Sequence, residues 1–218
     1  MINIRNVIFI SKTKNITPLD IYNKRAAKYD SQTKTMESFV SKEKQVFHFL
    51  KGKILEVGTG TGLNLKYYNS SAEVYAIDWS PNMVRLAQRK VKELNLNNIV
   101  EIKVADIQEL EEIYRSQFFD FVTARCVFCS VPNPVKGLKQ IAKILKPNGK
   151  LIQLEHGLSK LSIINLGLNS LDPIVSKKFG LHINRDHVEN LKQAGFQILY
   201  QKFLEPTKIF RLIISKLI

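Results

Sequence analysis

The sequence predicts one α/β domain around a single, mostly parallel sheet of seven strands, with helices on both faces. Short β-rich runs alternate with helical runs along most of the chain, which is typical of parallel sheets. The last two β-rich runs follow each other directly, as the strands of a closing antiparallel hairpin do. With 218 residues, 44% of them hydrophobic, the chain can bury one sizeable core.

Five β-rich segments predict the parallel strands, and helical segments connect them. A helix is expected from Ser80-Pro81 to about Leu94, because serine caps helices and proline fits their first turn. Another is expected over Pro134–Leu145, stopped by Pro147-Asn148-Gly149. The five strands are Lys53–Val57, Glu73–Ile77, Ile99–Val104, Phe119–Arg125 and Lys150–Glu155.

The two ends of the chain complete the predicted domain, which spans residues 18–218. Residues 1–17 are expected to form an N-terminal arm, and residues 18–50 a helical cover that starts at Thr17-Pro18. Near the C-terminus, a helix over Asp186–Ala194 precedes two closing strands. These strands are predicted at Phe196–Phe203 and Lys208–Ser215.

Residues 157–183 interrupt the regular alternation of strands and helices. The segment is apolar, but polar residues and Asp172-Pro173 interrupt it. An insertion after the fifth strand lies above the carboxyl ends of the strands, where open α/β sheets bind ligands. We interpret these residues as a substrate lid; a packing helix without a substrate role is the alternative.

The chain is strongly basic, with 33 Lys and Arg against 19 Asp and Glu and a net charge of +14. Such a surface favours anionic partners such as nucleic acid, acidic lipid head groups or acidic metabolites. A solvated, lysine-rich surface without a specific partner explains the charge equally well. The segment Met1–Thr17 is basic and lacks acids, as weak organelle-targeting segments do, although an ordinary arm is favoured.

Two cysteines, Cys126 and Cys129, lie in an apolar stretch and are expected to be buried and structural. A redox pair or half of a zinc site is the alternative, but the four histidines are scattered, so no metal site is expected. So few cysteines exclude a disulfide framework and agree with a reducing, cytoplasmic compartment. No apolar run is long enough to span a bilayer.

A glycine-rich turn, Gly58-x-Gly60-x-Gly62, follows the first predicted strand and predicts a ligand cradle. Glycine allows a tight turn and close approach of the backbone to a ligand. The spacing differs from the G-x-G-x-x-G of dinucleotide enzymes, and no P-loop G-K-[ST] follows. The ligand is therefore nucleotide-like without needing a phosphate at the turn.

Three acids at the ends of three successive predicted strands narrow the choice of ligand. Glu56 precedes the turn, where it would repel a phosphate but suit the amino group and sulfonium of S-adenosylmethionine. Asp78 stands where an acid accepts hydrogen bonds from ribose hydroxyls. Asp106 is placed to accept a hydrogen bond from the exocyclic amine of adenine.

From Tyr22 onward the chain resembles the class I S-adenosylmethionine-dependent methyltransferases. The segments 'ILEVGTGTGLNL', 'AIDWSPNMVRLAQRK', 'ADIQEL' and 'ILKPNGKLIQLEH' carry this resemblance. It implies a Rossmann-like fold and S-adenosylmethionine as the cofactor. It also implies roles for individual residues: Gly58, Gly60 and Gly62 line the methionine part, Trp79 and Met83 border the adenine, Asp106 and Ile107 contact it, Arg125 and Cys126 face the reactive methyl, and Tyr22 and Tyr29 fold over the cofactor.

Within that class, 'YNKRAAKYD' and 'DPIVSKKFGLHINRDHVENLKQAGF' resemble phosphatidylethanolamine N-methyltransferases, thiol methyltransferase-like proteins and quinone C-methyltransferases. A small hydrophobic or lipid-like acceptor and peripheral contact with an anionic membrane are therefore expected. His156 and His182 are the candidate bases, since imidazole titrates near neutrality. Asn184 and Arg185 are candidate substrate contacts, because an arginine can hold a phosphate or carboxylate.

The alternative function is that of an RNA methyltransferase or an RNA- or ribosome-associated assembly factor that retains the cofactor fold. The positive charge supports it. Against it, the sequence shows no appended RNA-binding module, and 'CVFC' stands where many amino-base methyltransferases carry an N-P-P-Y type tetrapeptide. A catalytically dead binding protein is a third possibility, which the intact acids disfavour.

Overall fold

The structure, a computed structural model, describes residues 16–40 and 42–218, and within them seven strands form one sheet. The strand order is β3-β2-β1-β4-β5-β7-β6. The predicted N-terminal arm and its targeting segment lie almost wholly outside the described residues. The strands are β1 Lys53–Val57, β2 Glu73–Asp78, β3 Ile99–Val104, β4 Phe119–Arg125, β5 Leu145–His156, β6 Phe196–Phe203 and β7 Phe210–Leu217.

The pairing of the strands confirms the predicted mixed sheet. The first five strands pair in parallel, while β7 runs antiparallel to both β5 and β6. Two strands, β5 and β7, begin elsewhere than predicted. Strand β5 begins at Leu145 and includes Pro147-Asn148-Gly149, because the register shift between Phe119 and Phe121 of β4 absorbs these extra residues. Strand β7 begins two residues late, after a turn in which the Lys208 N–H donates to the Glu205 carbonyl at 3.0 Å.

Four helices begin at a residue whose side chain caps them, namely Thr17, Ser80, Asn133 and Asp186. Ser80 accepts a hydrogen bond from the Met83 N–H at 3.2 Å, and Asn133 accepts one from the Lys136 N–H at 2.9 Å. Short 3-10 turns cover residues 26–28, 43–49, 65–67 and 107–112. The helices are α1 Pro18–Arg25, α2 Tyr29–Val40, α3 Pro81–Glu93, α4 Pro134–Ile144, α5 Ser162–Phe179 and α6 His187–Gln193.

Apolar residues are buried on both faces of the sheet. Along β1, Ile54 packs into the layer that contains Phe47 and Ala87, while Leu55 packs into the opposite layer with Leu138 of α4. Side chains of a strand alternate between faces, so a central strand covered on both sides carries apolar residues on both faces. This double packing fixes the carboxyl ends of β1, β2 and β4 along one edge of the sheet.

The predicted lid region contains one continuous helix, α5, which runs through Asp172-Pro173. Proline removes one backbone hydrogen bond, here the bond to the Asn169 carbonyl. Asn169 and Pro173 are both exposed, so water can satisfy that carbonyl. The helix ends at Gly180, which adopts the left-handed conformation at φ 71°.

Candidate active site

The glycine turn after β1 uses each of its glycines differently. All three have positive φ, at 61° for Gly58, 57° for Gly60 and 79° for Gly62. A Cβ at Gly58 would lie 2.5 Å from the Val127 side chain, and one at Gly62 would lie 3.2 Å from Ala87. At Gly60 a Cβ would meet only the Tyr29 ring, at 3.9 Å. Two glycines are therefore required by packing, and the third leaves space above the turn.

That space belongs to a cleft at the carboxyl ends of β1, β2 and β4, with about 900 Å³ of empty volume. This position is where open α/β sheets bind ligands. Eleven of the predicted cofactor residues line the cleft: Tyr22, Tyr29, Gly58, Gly60, Asp78, Trp79, Met83, Asp106, Ile107, Arg125 and Cys126.

Two predicted cofactor residues, Glu56 and Gly62, lie outside the lining of the cleft. Glu56 is 2% exposed and lies beneath the turn, where its Oε1 accepts a hydrogen bond from Asn64 Nδ2 at 3.2 Å. Burial raises the pKa of this carboxyl, and hydrogen bonds from Tyr68 and Asn64 oppose the rise. Since Asn64 does line the cleft, Glu56 orients a lining side chain from below.

Asp78 connects the glycine turn to the start of α3. Its Oδ2 accepts a hydrogen bond from the Gly60 N–H and its Oδ1 one from the Ser80 N–H, both at 2.8 Å. Burial raises the pKa of Asp78, and these two backbone hydrogen bonds oppose that rise. The carboxylate therefore holds the turn in shape while facing the cleft.

Asp106 and Ile107 form the neighbouring wall of the cleft. The Asp106 carboxylate accepts a hydrogen bond from the Gln108 N–H at 2.8 Å and thereby caps the 3-10 turn of residues 107–112. Ile107 is 7% exposed and packs in the core beneath. The pair thus presents one acidic and one apolar side chain side by side.

The N-terminal helices close over both rims of the cleft. The Tyr22 hydroxyl lies 2.6 Å from Ser130 Oγ on the β4 side, and Ser80 Oγ donates to Asn23 Oδ1 at 2.6 Å on the α3 side. Asp30 accepts a hydrogen bond from the Thr61 hydroxyl, next to the glycine turn. The cover is therefore fastened to the site itself.

The segment after β4 brings Cys126 to the cleft in a strained conformation. Cys126 has φ 51°, in the left-handed region that non-glycine residues rarely adopt. Burial raises the pKa of its thiol to about 12. Glu155 fixes the following residues, since its Oε1 accepts hydrogen bonds from Val127 N–H at 3.0 Å and Phe128 N–H at 3.2 Å.

Of the two candidate bases, His182 lies near the mouth of the cleft. Its backbone N–H donates to the Cys129 carbonyl at 2.8 Å, and Cys129 immediately precedes the lining residue Ser130. Its Nδ1 lies 2.8 Å from Asp172 Oδ2, and Asp172 Oδ1 accepts a hydrogen bond from the Ile183 N–H at 2.7 Å. Asp172, which is 7% exposed, therefore orients the His182 ring.

The other candidate base, His156, is 5% exposed and does not line the cleft. Its ring lies against Phe210, and burial lowers its pKa to about 4. The imidazole is therefore neutral at physiological pH and packed within the fold.

The two candidate substrate residues, Asn184 and Arg185, do not themselves line the cleft. Arg185 donates to the carbonyl of the lining residue Val131 at 3.1 Å, and Asn184 Nδ2 donates to Asn169 Oδ1 of α5 at 3.1 Å.

Sequence reasoning missed part of the lining, above all the loop Ser130–Pro132 and the threonines within the glycine turn, Thr59 and Thr61. These residues lie in the loops that follow strands β4 and β1, so their position in the chain was the available signal. Among the residues that the structure describes, no three His, Cys, Asp or Glu side chains are grouped to hold a metal ion.

Comparison with known proteins shows the family to which the chain belongs. A model described as "Methyltransferase domain" matches residues 55–153. The chain is 30% identical over 194 residues to demethylmenaquinone methyltransferase of Lactobacillus johnsonii, an alignment that covers 82% of this chain and 79% of the relative. The chain belongs to the class I S-adenosylmethionine-dependent methyltransferases.

Other similarities agree with this family. Methyltransferase OMS1, mitochondrial, of Saccharomyces cerevisiae is 27% identical over 84% of this chain, and phosphatidylethanolamine N-methyltransferase of Cereibacter sphaeroides is 33% identical over 48%. The chain spans 43% and 51% of these two relatives. In fold, it is similar to a solved chain from a complex between the Haloferax volcanii Trm112 methyltransferase activator and a methyltransferase. The TM-score is 0.73 at 17% identity, covering 92% of this chain and 97% of that chain.

The cofactor of this family, S-adenosylmethionine, fits the residues present. The open side of Gly60 gives an elongated ligand room to cross the turn. Asp78 lies at the end of β2, where a ribose would meet a carboxylate, and Trp79, Met83 and Ile107 offer apolar surface for an adenine. The lining of the cleft is therefore compatible with this cofactor.

Proposed function

We propose that this methyltransferase acts on a small hydrophobic or lipid-like acceptor, such as a phospholipid amine, a thiol or a quinone. The observation that carries the proposal is the composition of the cleft wall on the β4 side. There the apolar side chains of Val127, Val131 and Pro132, with Leu19 of the cover, lie beside Arg125 and Cys126. The names of two relatives, a phosphatidylethanolamine and a demethylmenaquinone methyltransferase, support the same acceptor class.

When bound, S-adenosylmethionine supplies an electrophilic methyl group on its sulfonium. The chain contributes orientation and exclusion of water, which the cover provides through Tyr22 and Tyr29. An amine, thiol or enol acceptor must also lose a proton. We assign the proton acceptor to His182: with its Nδ1–H donated to Asp172, the free lone pair lies on Nε2. Asn184 and Arg185, which follow His182 directly, are the proposed contacts for a polar acceptor head group.

Residues 157–183 are proposed to act as the substrate lid. They carry Asp172 and His182, and the C-terminal end of α5 contacts the cover: Arg25 donates to the Phe179 carbonyl at 3.5 Å. The acceptor would therefore enter between the lid and the cover.

Such an acceptor implies a cytoplasmic protein in peripheral contact with an anionic membrane, as the net charge of +14 supports. Among the residues described by the structure, no helix combines the length and apolar character needed to cross a bilayer. A mitochondrial location is the alternative; it is supported by the basic segment 1–17 and by the name of the yeast relative.

The second candidate function is methylation of RNA, or assembly work on RNA or the ribosome, which the same positive charge favours. One assay separates the two candidates. Labelled S-adenosylmethionine is offered with phospholipid vesicles, small thiols, quinones and RNA in parallel. Label in a lipid, thiol or quinone supports the proposal, and label in RNA alone overturns it.

The same assay tests the assigned base. His182→Gln and Asp172→Asn are expected to lower turnover while the affinity for S-adenosylmethionine stays unchanged, since neither residue lines the cleft. Removal of a general base typically costs about 10²–10⁴-fold in rate. Unchanged turnover in His182→Gln would refute the assignment.

A further inference from the structure

Helix α5 carries an unusual row of exposed apolar side chains. Ile163 is 76% exposed, Leu166 64% and Ile174 66%. Their spacing of three and eight residues, with Ser170 between, places them on one helix face. Leu171, at 54% exposed, widens that face. A long helix of a water-soluble domain normally turns such a face inward, so this one needs a covering partner.

The exposed charges on and beside α5 are all positive. Exposed lysines flank the apolar row at both ends, with Lys160 before the helix and Lys177 and Lys178 in its last turn. The helix has a single acid, Asp172, which is buried and bonded to His182. From Ile163 to Ile174, about 17 Å along the helix axis, the outward face of α5 is therefore apolar except for Ser170, and the two ends of the helix are cationic.

The adjoining helix α1 extends this surface toward the cleft. The end of α5 packs on α1, since a Cβ at Gly180 would lie 3.2 Å from Pro18. Lys24 of α1 and Lys28 of the turn that follows it are exposed. Tyr22, on the same short helix, lines the cleft. The apolar and basic surface is thus continuous with the entrance to the site.

We propose that α5 is a membrane-docking helix that lies in the plane of an anionic phospholipid bilayer. The apolar row would enter the boundary between head groups and acyl chains, and the flanking lysines would contact anionic head groups. An anionic bilayer supplies both the apolar phase and the negative charge that this face lacks. This inference deepens the proposed function by naming the surface through which a lipid-like acceptor reaches the cleft, and in that respect it rests on it.

Vesicle co-sedimentation tests the proposal with the full chain. The wild type is expected to bind phosphatidylcholine vesicles that contain phosphatidylserine and to bind pure phosphatidylcholine vesicles far less. The triple variant Ile163→Ser/Leu166→Ser/Ile174→Ser should lose about tenfold or more of its partitioning onto the anionic vesicles. These side chains are exposed, so the variant should fold, which circular dichroism would verify.

Matched controls separate this helix from the rest of the surface. Leu94→Ser/Val100→Ser/Leu199→Ser removes three exposed apolar side chains outside α5, and binding should remain at the wild-type level. Equal loss in this control would overturn the proposal.

Charge reversal has its own control. Lys177→Glu/Lys178→Glu should weaken binding to anionic vesicles more than Lys92→Glu/Lys139→Glu, which changes the net charge equally on exposed positions of α3 and α4. Equal weakening by the two pairs would show that only overall charge matters, and would contradict the assigned surface.

The remaining outcomes distinguish this inference from the proposed function. Vesicle binding without methylation of any acceptor in the panel would sustain the docking surface and refute the proposed function. Methylation of lipid by a wild type that does not bind vesicles would support the proposed function and overturn the docking surface. A self-association that the Ile163/Leu166/Ile174 variant abolishes, without vesicle binding, would assign α5 to a second copy and overturn the proposal.

Discussion

Replacement of Gly60 by alanine tests whether the space above the glycine turn belongs to the cofactor. Gly60 has φ 57°, so alanine there should cost about 1–2 kcal/mol in the free energy of unfolding. The new methyl group meets only Tyr29, at 3.9 Å, so packing within the protein should add little to that cost. Its Cβ instead occupies volume of the cleft.

The effect on cofactor affinity follows from that position. Insertion of one methyl group into a fitted site costs about 1–3 kcal/mol, which corresponds to about a 5- to 150-fold higher Kd. The sequence offers a matched control in Gly195, which has φ 84° and no atom within 4 Å of its Cβ position. Gly195 lies between α6 and β6 and does not line the cleft. Gly195→Ala should thus lose similar stability and no cofactor affinity.

The assay can use the protein's own fluorescence. Trp79 is the single tryptophan of the chain and lines the cleft, so titration with S-adenosylmethionine should change its emission directly. Urea unfolding of each variant supplies the stability. A wild-type Kd in Gly60→Ala, or an equal loss of affinity in Gly195→Ala, would show that the space above Gly60 does not belong to the cofactor.

Three further predictions concern buried groups and the single tryptophan. Burial lowers the pKa of His187 from 6.5 to about 4, so its neutral form stabilises the fold above pH 6.5, and that contribution is lost as the pH falls towards 4. In His187→Gln, the free energy of unfolding should therefore fall less steeply between pH 6.5 and 4, by up to about 1.4 kcal/mol per pH unit. Parallel curves of unfolding free energy against pH for the wild type and the variant would contradict this. Because burial raises the pKa of the Cys126 thiol from 9.0 to about 12, its alkylation by iodoacetamide in the folded protein should be about a thousandfold slower than in urea, and mass spectrometry showing rapid labelling would count against the burial. Trp79→Ala should weaken cofactor binding in calorimetry by about tenfold or more through lost apolar contact, and an unchanged Kd would remove Trp79 from the site.

Strand positions were predictable because the central strands are buried on both faces. The run Lys53–Val57 has no alternative environment once its residues must pack on both layers, and β1 occupies that range. The segment around Pro147 was not predictable, because the register shift in β4 depends on pairing between strands distant in sequence. The sequence could not predict that helix α5 runs through Pro173, because the cost of a proline there depends on whether the carbonyl that loses its hydrogen bond faces water.

Much of the cleft lining was predictable because many of its members lie just after strands or within the glycine turn. Asp78 and Asp106 stand at strand ends, where parallel topology brings them to one edge. Glu56 shows the limit of that reasoning, because only the structure places its side chain beneath Asn64 rather than at the surface of the cleft. The pairing of His182 with Asp172 is another case, since it depends on α5 continuing through Pro173.

We propose that the cleft binds S-adenosylmethionine through the Asp78 carboxylate at the end of β2. Isothermal titration calorimetry of the wild type, Asp78→Ala and Asp120→Ala tests it most directly. Asp120 is a fair control, because its carboxylate also accepts a backbone hydrogen bond, from the Lys53 N–H at 2.9 Å, but lies outside the cleft. We expect binding by the wild type and Asp120→Ala and a Kd at least about tenfold higher in Asp78→Ala, equivalent to about 1.4 kcal/mol. No binding by the wild type, or equal affinity in Asp78→Ala, would contradict the account.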